Sequence, residues 1–207
     1  IEDSQFHQET IRLKNAGVDL SKTIICFFGT FGVTYDFSTV LSAAKILQEQ
    51  NNQTFQFVFC GDGEKFQEVK EQSRNVQNVI LLGWVGKETL ITLSRYASIG
   101  LANYVLNAPQ SVSNKPVEYL AFGLPILSSL EGEMQKFIEN FEVGYQYKAG
   151  NSDSFLNALK SFGSNPTVHE QMRKNALNLY KQCFESSKVS YDFFCHIEKV
   201  VKIFNKI

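Results

Sequence analysis

The stretch Ser113-Asn114-Lys115-Pro116-Val117-Glu118-Tyr119-Leu120-Ala121-Phe122-Gly123-Leu124-Pro125 contains a helix start, a helix stop and the approach to a strand. A polar cap at its first or second residue precedes Pro116, whose missing N–H costs little in the first turn of a helix. Gly123, with a proline two residues later, is typical of the position just after a helix end. The stretch therefore predicts a turn, a short helix and a strand in succession.

Glu118 and Lys115 give this short helix its chemistry. We expect Glu118 near the helix start, in the first turn, where the helix macrodipole favours a carboxylate that accepts hydrogen bonds from hydroxyl groups. The free backbone N–H groups there, together with Lys115, would attract an anion. A ligand site and an ordinary capped helix with a favourable acidic residue both fit this segment taken alone.

Short apolar runs alternate with amphipathic stretches on either side of this unit. Near-continuous apolar character suits parallel strands covered on both faces, and the alternation of strands and helices indicates an α/β fold with a doubly wound, Rossmann-like sheet. The predicted strands are residues 23–28, 55–60, 78–82, 98–102, 125–128 and 143–147. From Ser152 onward the pattern becomes helical, with predicted helices at 153–162, 167–184 and 189–204.

Ligands of doubly wound sheets bind outside the carboxyl ends of the strands. Glycine-rich or polar loops follow several predicted strands, at residues 29–32, 61–64, 83–86 and 128–133. We expect the loop at 61–64 to have a structural role, because isolated Gly-x-Gly turns are common. The other loops and the stretch 113–125 would meet at one edge of the sheet.

As a whole, the stretch 113–125 resembles the nucleotide-binding motif of retaining glycosyltransferases of the GT-B type, in the glycosyl transferases group 1 or family 4 group. In that family an acidic residue is followed, after seven residues, by a second one, then by Ala and Gly-x-Pro. Glu118, Ala121, Gly123 and Pro125 fill the later positions here, and Gln110 stands at the first. The resemblance implies that Glu118 binds the ribose hydroxyls of the donor nucleotide and that Gln110 hydrogen-bonds the donor sugar.

The resemblance also implies roles for the loops. The first passes beside the donor diphosphate, and because the Arg and Lys pair of many relatives is missing, Lys115 would meet the diphosphate charge. The third brackets the base, although Trp84 also fits an amphipathic plug between helix and sheet. In the last, Glu131 would bind a sugar hydroxyl or support the helix that begins near Glu133. The implied donor-binding residues are Gly29, Thr30, Phe31, Gly83, Trp84, Val85, Gln110, Asn114, Lys115, Glu118, Leu130, Glu131 and Gly132, and no catalytic residue is assigned.

The 207 residues suit one half of such an enzyme better than the whole. We expect a C-terminal, donor-binding domain: a linker remnant at 1–22, a Rossmann-like domain at 23–165, and helices at 166–207 that pack on it or on a missing N-terminal domain. It would bind a nucleoside-diphosphate sugar, with UDP favoured by family habit and no metal or other cofactor. The parent enzyme would transfer the sugar with retention to a glycan or lipid-linked acceptor in cell-surface polysaccharide synthesis. This half alone would bind the donor but would not catalyse sugar transfer.

Charge and cysteine content limit the partners. The 20 basic and 21 acidic residues argue against an extended nucleic-acid surface. The four cysteines are far apart and none has a zinc-like spacing, so we expect reduced thiols, no metal site and a cytoplasmic protein. The last helix carries Lys199, Lys202 and Lys206 beside apolar residues, which leaves peripheral contact with the inner face of a membrane as an alternative to packing on protein.

Two other functions remain open at this point. A nucleotide-sugar epimerase shares the two-domain architecture, but it would need general acid and base groups in the cleft, and His7, His169 and His196 lie outside the candidate loops. A non-catalytic α/β interaction module would leave the glycine loops and Glu118 without a ligand.

Overall fold

Six parallel strands form one sheet in the computed structural model, which describes residues 1–163 and 165–204. The strands are β1 (Thr23–Phe28), β2 (Phe55–Cys60), β3 (Val79–Gly83), β4 (Ile99–Ala102), β5 (Ile126–Ser128) and β6 (Gly144–Gln146). Their order is β3-β2-β1-β4-β5-β6, and each neighbouring pair is parallel. The predicted doubly wound α/β sheet is therefore confirmed, with every strand within one residue of its predicted bounds.

Helices connect and cover the strands. They are α1 (Asp3–Asn15), α2 (Phe37–Glu49), α3 (Phe66–Gln72), α4 (Lys87–Tyr96), α5 (Asn114–Ala121), α6 (Glu133–Phe141), α7 (Ser152–Gly163), α8 (Pro166–Leu179) and α9 (Ser186–Phe204). The helix predicted at 167–184 ends in a π-helical turn, Tyr180–Phe184. Asn165 caps α8 through its side-chain oxygen, which accepts from the N–H of Thr167.

The apolar run of β1 is continuous because its side chains enter two cores. Ile25 and Phe27 point into a core under α2 and α7, whereas Ile24 and Cys26 point into a second core that also holds Tyr119. All of these side chains are fully buried. Alternate residues of a strand face opposite sides of the sheet, so a strand covered on both faces needs apolar residues at every position.

Helix α1 packs the N-terminal segment onto α4. Phe6 stacks on Tyr96 with ring centroids 5.7 Å apart, and the hydroxyl of Thr89 donates to a carboxylate oxygen of Glu9 at 2.6 Å. Leu13 is buried in the second core. The segment expected as a linker remnant therefore contains a helix that is part of the packed structure.

The sheet changes its winding direction between β1 and β4. The chain proceeds from β1 through β2 to β3 on one side and from β4 through β5 to β6 on the other. The loops that leave β1 and β4 consequently diverge and open a crevice at the carboxyl ends of these strands. The N–H of Asp36 donates to the carbonyl of Asn103 at 2.7 Å and that of Val105 to the carbonyl of Thr34 at 3.0 Å, which joins the two loops at the base of the crevice.

Within the described residues, no helix is both long and apolar enough to cross a membrane. Helix α9 buries none of its described side chains and packs mainly against the π-helical turn. Lys206, one of the three lysines considered for membrane contact, lies outside the described residues. The four cysteines are free thiols, of which Cys26 and Cys60 are buried. Burial raises the pKa of the Cys60 thiol to about 12, so this group is an apolar core residue rather than a nucleophile.

Candidate functional site

Two cavities lie side by side at the carboxyl edge of the sheet. Cavity A has a volume of about 340 Å³ and is lined by Phe28, Gly29, Thr30, Tyr35, Tyr104, Gln110, Ser113, Asn114, Lys115 and Glu118. Cavity B, also of about 340 Å³, is lined by Val105, Leu106, Asn107, Ala108, Pro109, Gln110, Ser111, Ser129, Leu130, Glu131, Gly132 and Ala149. Gln110 lines both. Cavity A lies at the change in winding direction, where a ligand site is expected in this fold.

Lys115 places a buried ammonium group at the floor of cavity A. The residue is 7% exposed, and its Nζ donates to the carbonyl oxygen of Phe28. The same nitrogen lies 4.2 Å from the ring centroid of Phe27 and 4.9 Å from that of Tyr35, close enough for cation–π attraction. Burial lowers the pKa of Lys115 to about 8, and the nearby Glu118 carboxylate opposes this shift.

Gly29 lies next to this ammonium group and has no side chain that would separate it from the cavity. A Cβ atom built at Gly29 would come within 2.5 Å of Nζ of Lys115, and the glycine adopts φ +124°, which side chains rarely adopt. Any larger residue would occupy the space above the ammonium group. The glycine therefore brings an anion that enters cavity A into reach of the buried charge.

The expectation that Glu118 occupies the first turn of its helix is wrong. Helix α5 begins at Asn114, so Glu118 is its fifth residue. Ser113 occupies the cap position, one of the two that the sequence predicts, but its hydroxyl bonds with that of Tyr104 and makes no capping bond to the helix. Glu118 is nevertheless exposed on the wall of cavity A, on the same side as Lys115.

The loop after β2 supports the loop after β1. A Cβ atom at Gly61 would lie 1.8 Å from the carbonyl oxygen of Gly29, so only glycine permits this approach. The N–H of Phe31 donates to the carbonyl of Asp62 at 2.9 Å. The side chain of Phe31 is fully buried and stacks on Phe37 with centroids 4.6 Å apart. Phe31, predicted at the donor site, thus belongs to the core and lines neither cavity.

The loop after β3 lines neither cavity. Strand β3 forms the sheet edge, two positions from β1, and Gly83, Trp84 and Val85 line neither cavity. Trp84 is 80% exposed, so the interpretation as a plug between helix and sheet is wrong, whereas Val85 packs partly against the second core. A contact between this loop and a nucleotide base stays a prediction.

The loop after β5 forms one wall of cavity B. The hydroxyl of Ser128 accepts from the N–H of Leu130 at 2.9 Å, and the amide of Gln146 donates to the carbonyl of Leu130 at 2.8 Å. These bonds hold Leu130 in the core, while Glu131 and Gly132 face solvent and the cavity. Gly132 adopts φ +80° just before α6, a conformation that favours glycine.

Nine of the predicted site residues therefore meet at the two cavities. Gly29, Thr30, Asn114, Lys115 and Glu118 line cavity A, Gln110 lines both, and Leu130, Glu131 and Gly132 line cavity B. Tyr35, Tyr104 and Ser113 of cavity A were not predicted at the site, nor was the segment 105–109 that lines cavity B. Tyr104 follows β4 closely, so its position at a strand carboxyl end was a usable signal, whereas Tyr35 and Ser113 depend on loop contacts.

Several observations bear on other chemistries. Among the described residues, no group of three or more His, Cys, Asp and Glu side chains could hold a metal ion. His7, His169 and His196 line neither cavity, and His169 packs against the ring of Phe162 at 4.0 Å between centroids. The general acid and base groups that an epimerase would need are thus not supplied by histidine in either cavity.

Comparison with known proteins finds one matching family and several glycosyltransferase structures of similar fold. The family model for glycosyl transferases group 1 matches residues 9–179. HepE from Anabaena, solved in complex with UDP-glucose, superposes with a TM-score of 0.75 at 15% identity, covering 96% of this chain and 54% of HepE. The C-terminal domain of a group 1 glycosyl transferase (LpcC) from Francisella tularensis superposes with a TM-score of 0.67 at 15% identity, covering 86% of this chain and 93% of that domain. A glycosyltransferase from Rickettsia africae ESF-5 gives a TM-score of 0.76 at 11% identity, with 98% and 53% covered.

A search of curated proteins found no match. The chain spans about half the length of HepE and of the Rickettsia africae enzyme, but nearly all of the LpcC C-terminal domain. At these identities the structural matches establish the fold. The family model, in contrast, covers most of the chain and every residue that lines the two cavities. The chain therefore belongs to the glycosyl transferases group 1 family, and its fold is that of a GT-B C-terminal domain.

Proposed function

We propose that this chain is the donor-binding domain of a glycosyltransferase and binds a nucleoside-diphosphate sugar across cavities A and B. The observation that carries the proposal is the combination in cavity A of an exposed carboxylate, Glu118, with a buried ammonium group, Lys115, beneath Gly29. The carboxylate suits the ribose hydroxyls and the ammonium group suits the diphosphate. The sugar then lies in cavity B, beyond Gln110.

Lys115 and the start of α5 would stabilise the negative charge that develops on the leaving diphosphate. When the sugar is transferred, the bond between its anomeric carbon and the diphosphate oxygen breaks, and the electron pair stays on the diphosphate. The Lys115 ammonium and the free N–H groups at the start of α5 are fixed before the reaction. Such preorganised donors stabilise developing negative charge without reorganisation. No metal ion is required in this proposal.

The acceptor would be bound elsewhere. An acceptor hydroxyl must form the new bond to the anomeric carbon and lose its proton, and neither cavity is lined by a histidine that would take it. A second domain closing over the donor would supply these contacts and exclude water. Transfer with retention, a glycan or lipid-linked acceptor, synthesis of a cell-surface polysaccharide and a cytoplasmic location are part of the proposal for the whole enzyme.

UDP is the first nucleotide to test. HepE, which shares this fold, was solved in complex with UDP-glucose. The domain is titrated by calorimetry with UDP, GDP, ADP and CMP, first unchanged and then as Glu118→Ala. We expect saturable binding of one nucleotide and a loss of about 10-fold or more in affinity for the variant, because a charged hydrogen-bond acceptor contributes roughly 1.5–3 kcal/mol.

The matched control is Glu49→Ala. Glu49 is an exposed glutamate in the last turn of α2, at the opposite edge of the sheet from the cavities. Its substitution should leave the affinity unchanged. If no nucleotide binds at millimolar concentration, or if both variants weaken binding equally, the assignment of cavity A to the donor nucleotide is wrong, and an interaction module becomes the better interpretation.

A further inference from the structure

Cavity B has the size of a site for one sugar ring and carries acceptors without cations. Its volume of about 340 Å³ lies at the lower end of the range for small-molecule sites. Leu106, Ala108, Pro109 and Leu130 form an apolar wall, and Glu131 contributes a carboxylate. Among the residues that line this cavity, none is Lys, Arg or His.

The nearest basic residues on the flanking elements are directed elsewhere. On α6, Nζ of Lys136 lies 2.7 Å from a carboxylate oxygen of Glu133. Lys148, next to Ala149 in the chain, lines a separate cavity. The ammonium group of Lys115 lies in cavity A, against the carbonyl of Phe28.

Gln110 supplies an independent indication of the ligand. Its Oε1 atom is buried and has no hydrogen-bond partner in the described part of the protein. A buried acceptor that stays unpaired is costly, so this atom favours a ligand that donates a hydrogen bond. A sugar hydroxyl donates, whereas a carboxylate only accepts. Gln110 and Glu131 both line cavity B, which therefore offers acceptors to hydroxyl groups.

We propose that cavity B accepts an uncharged sugar and that Glu131 excludes uronic acids, an inference that rests on the proposed function above. A carboxylate on the sugar would lose water against the apolar wall, face the Glu131 carboxylate and find no compensating cation. A neutral hexose avoids all three penalties, and its hydroxyls can donate to Gln110 and Glu131. Cavity B thus discriminates between donors by the charge on the sugar.

The test compares two donors that differ only at carbon 6 of the sugar, UDP-glucose and UDP-glucuronate, with UDP alone as the reference. If the calorimetric series identifies guanine as the base, GDP-mannose and GDP-mannuronate replace them. For the unchanged domain we expect the uronate donor to bind at least about 10-fold more weakly, a difference of about 1.4 kcal/mol, since two like charges in a partly exposed site repel each other. Glu131→Gln should reduce this difference to about 3-fold or less.

The control is Glu139→Gln, which makes the same change in charge on α6, outside the lining of cavity B, and leaves the pair of Lys136 with Glu133 intact. Glu131 and Glu139 are both exposed, and thermal unfolding verifies that each variant is folded. Equal binding of the two donors by the unchanged domain, or an equal reduction of the difference by both variants, would overturn the role of Glu131. Failure of UDP itself to bind would refute the proposed function, so the two failures are distinguishable.

Discussion

Replacing Lys115 by methionine should abolish a pH dependence of nucleotide binding. Burial lowers the pKa of Lys115 to about 8. Between pH 7 and pH 9 its protonated fraction in the free protein therefore falls from about nine-tenths to about one-tenth. A diphosphate attracts the charged form, so affinity falls as pH rises through 8. If only the charged form binds, the loss over this interval is about 10-fold, or about 1.4 kcal/mol.

Calorimetry in buffers of different ionisation enthalpy measures the proton directly. At pH 8 the unchanged domain should take up about half a proton on binding UDP, because half of the Lys115 side chains must become charged. Lys115→Met, which keeps much of the buried length, should take up none and should bind UDP more weakly at pH 7. Titration of the uracil ring affects both proteins equally, so their difference isolates Lys115.

The same group has a linked effect on stability with a defined sign. The pKa of Lys115 is about 8 in the folded protein against 10.5 for an ordinary lysine. Between these pH values the unfolded chain binds more protons, so the free energy of unfolding rises with pH, by about 3 kcal/mol as an upper limit. Lys115→Met should lack this rise in denaturant titrations.

An affinity for UDP that is flat from pH 7 to pH 9 in the unchanged domain would refute the placement of this ammonium group at the diphosphate.

Three further predictions concern the fold and the activity of the chain. Phe27→Ala should lower the free energy of unfolding by about 3–5 kcal/mol in urea titration, because this fully buried ring makes edge contacts with Phe31, Tyr35, Phe37 and Phe59. Gly61→Ala should lower the free energy of unfolding by about 2 kcal/mol or more and weaken UDP binding, since its Cβ would overlap the carbonyl of Gly29. Gly150→Ala, at φ +73° with open space around its Cβ, should lose only about 1 kcal/mol from left-handed backbone strain, and equal losses in the two variants would argue against the overlap. The chain alone should bind donor but transfer no radiolabelled sugar to acceptor, and transfer by this chain would show that the second domain is dispensable.

The strands could be predicted because burial on both faces leaves a local signature. Each residue of β2 is buried, and its sequence has no polar alternation that would indicate an exposed face. Helix α9 could also be predicted from its periodicity, although none of its described side chains is buried. Helical periodicity reports an apolar stripe, and it does not specify what covers that stripe.

The chemistry of the site was harder to predict because it depends on contacts between distant loops. The sequence places Lys115 and Glu118 on one short helix, but it does not indicate that the hydroxyl of Ser113 bonds with Tyr104 instead of capping that helix. The burial of Lys115 depends on the carbonyl of Phe28 and the aromatic rings beneath it. No pattern local to the stretch 113–125 contains that information.

The two glycine loops show why a sequence motif alone does not reveal a ligand contact. Gly29 and Gly61 both adopt positive φ and both follow buried strands, and the sequence separated them only through the family resemblance and the frequency of Gly-x-Gly turns. In the fold, a Cβ at Gly29 would meet the ammonium group of Lys115, whereas a Cβ at Gly61 would meet the backbone of Gly29 itself. One glycine exposes the charge to the cavity, and the other allows a neighbouring loop to hold the first in place. Substituting either should impair nucleotide binding, but only at Gly61 must the backbone of the neighbouring loop move to accommodate the change.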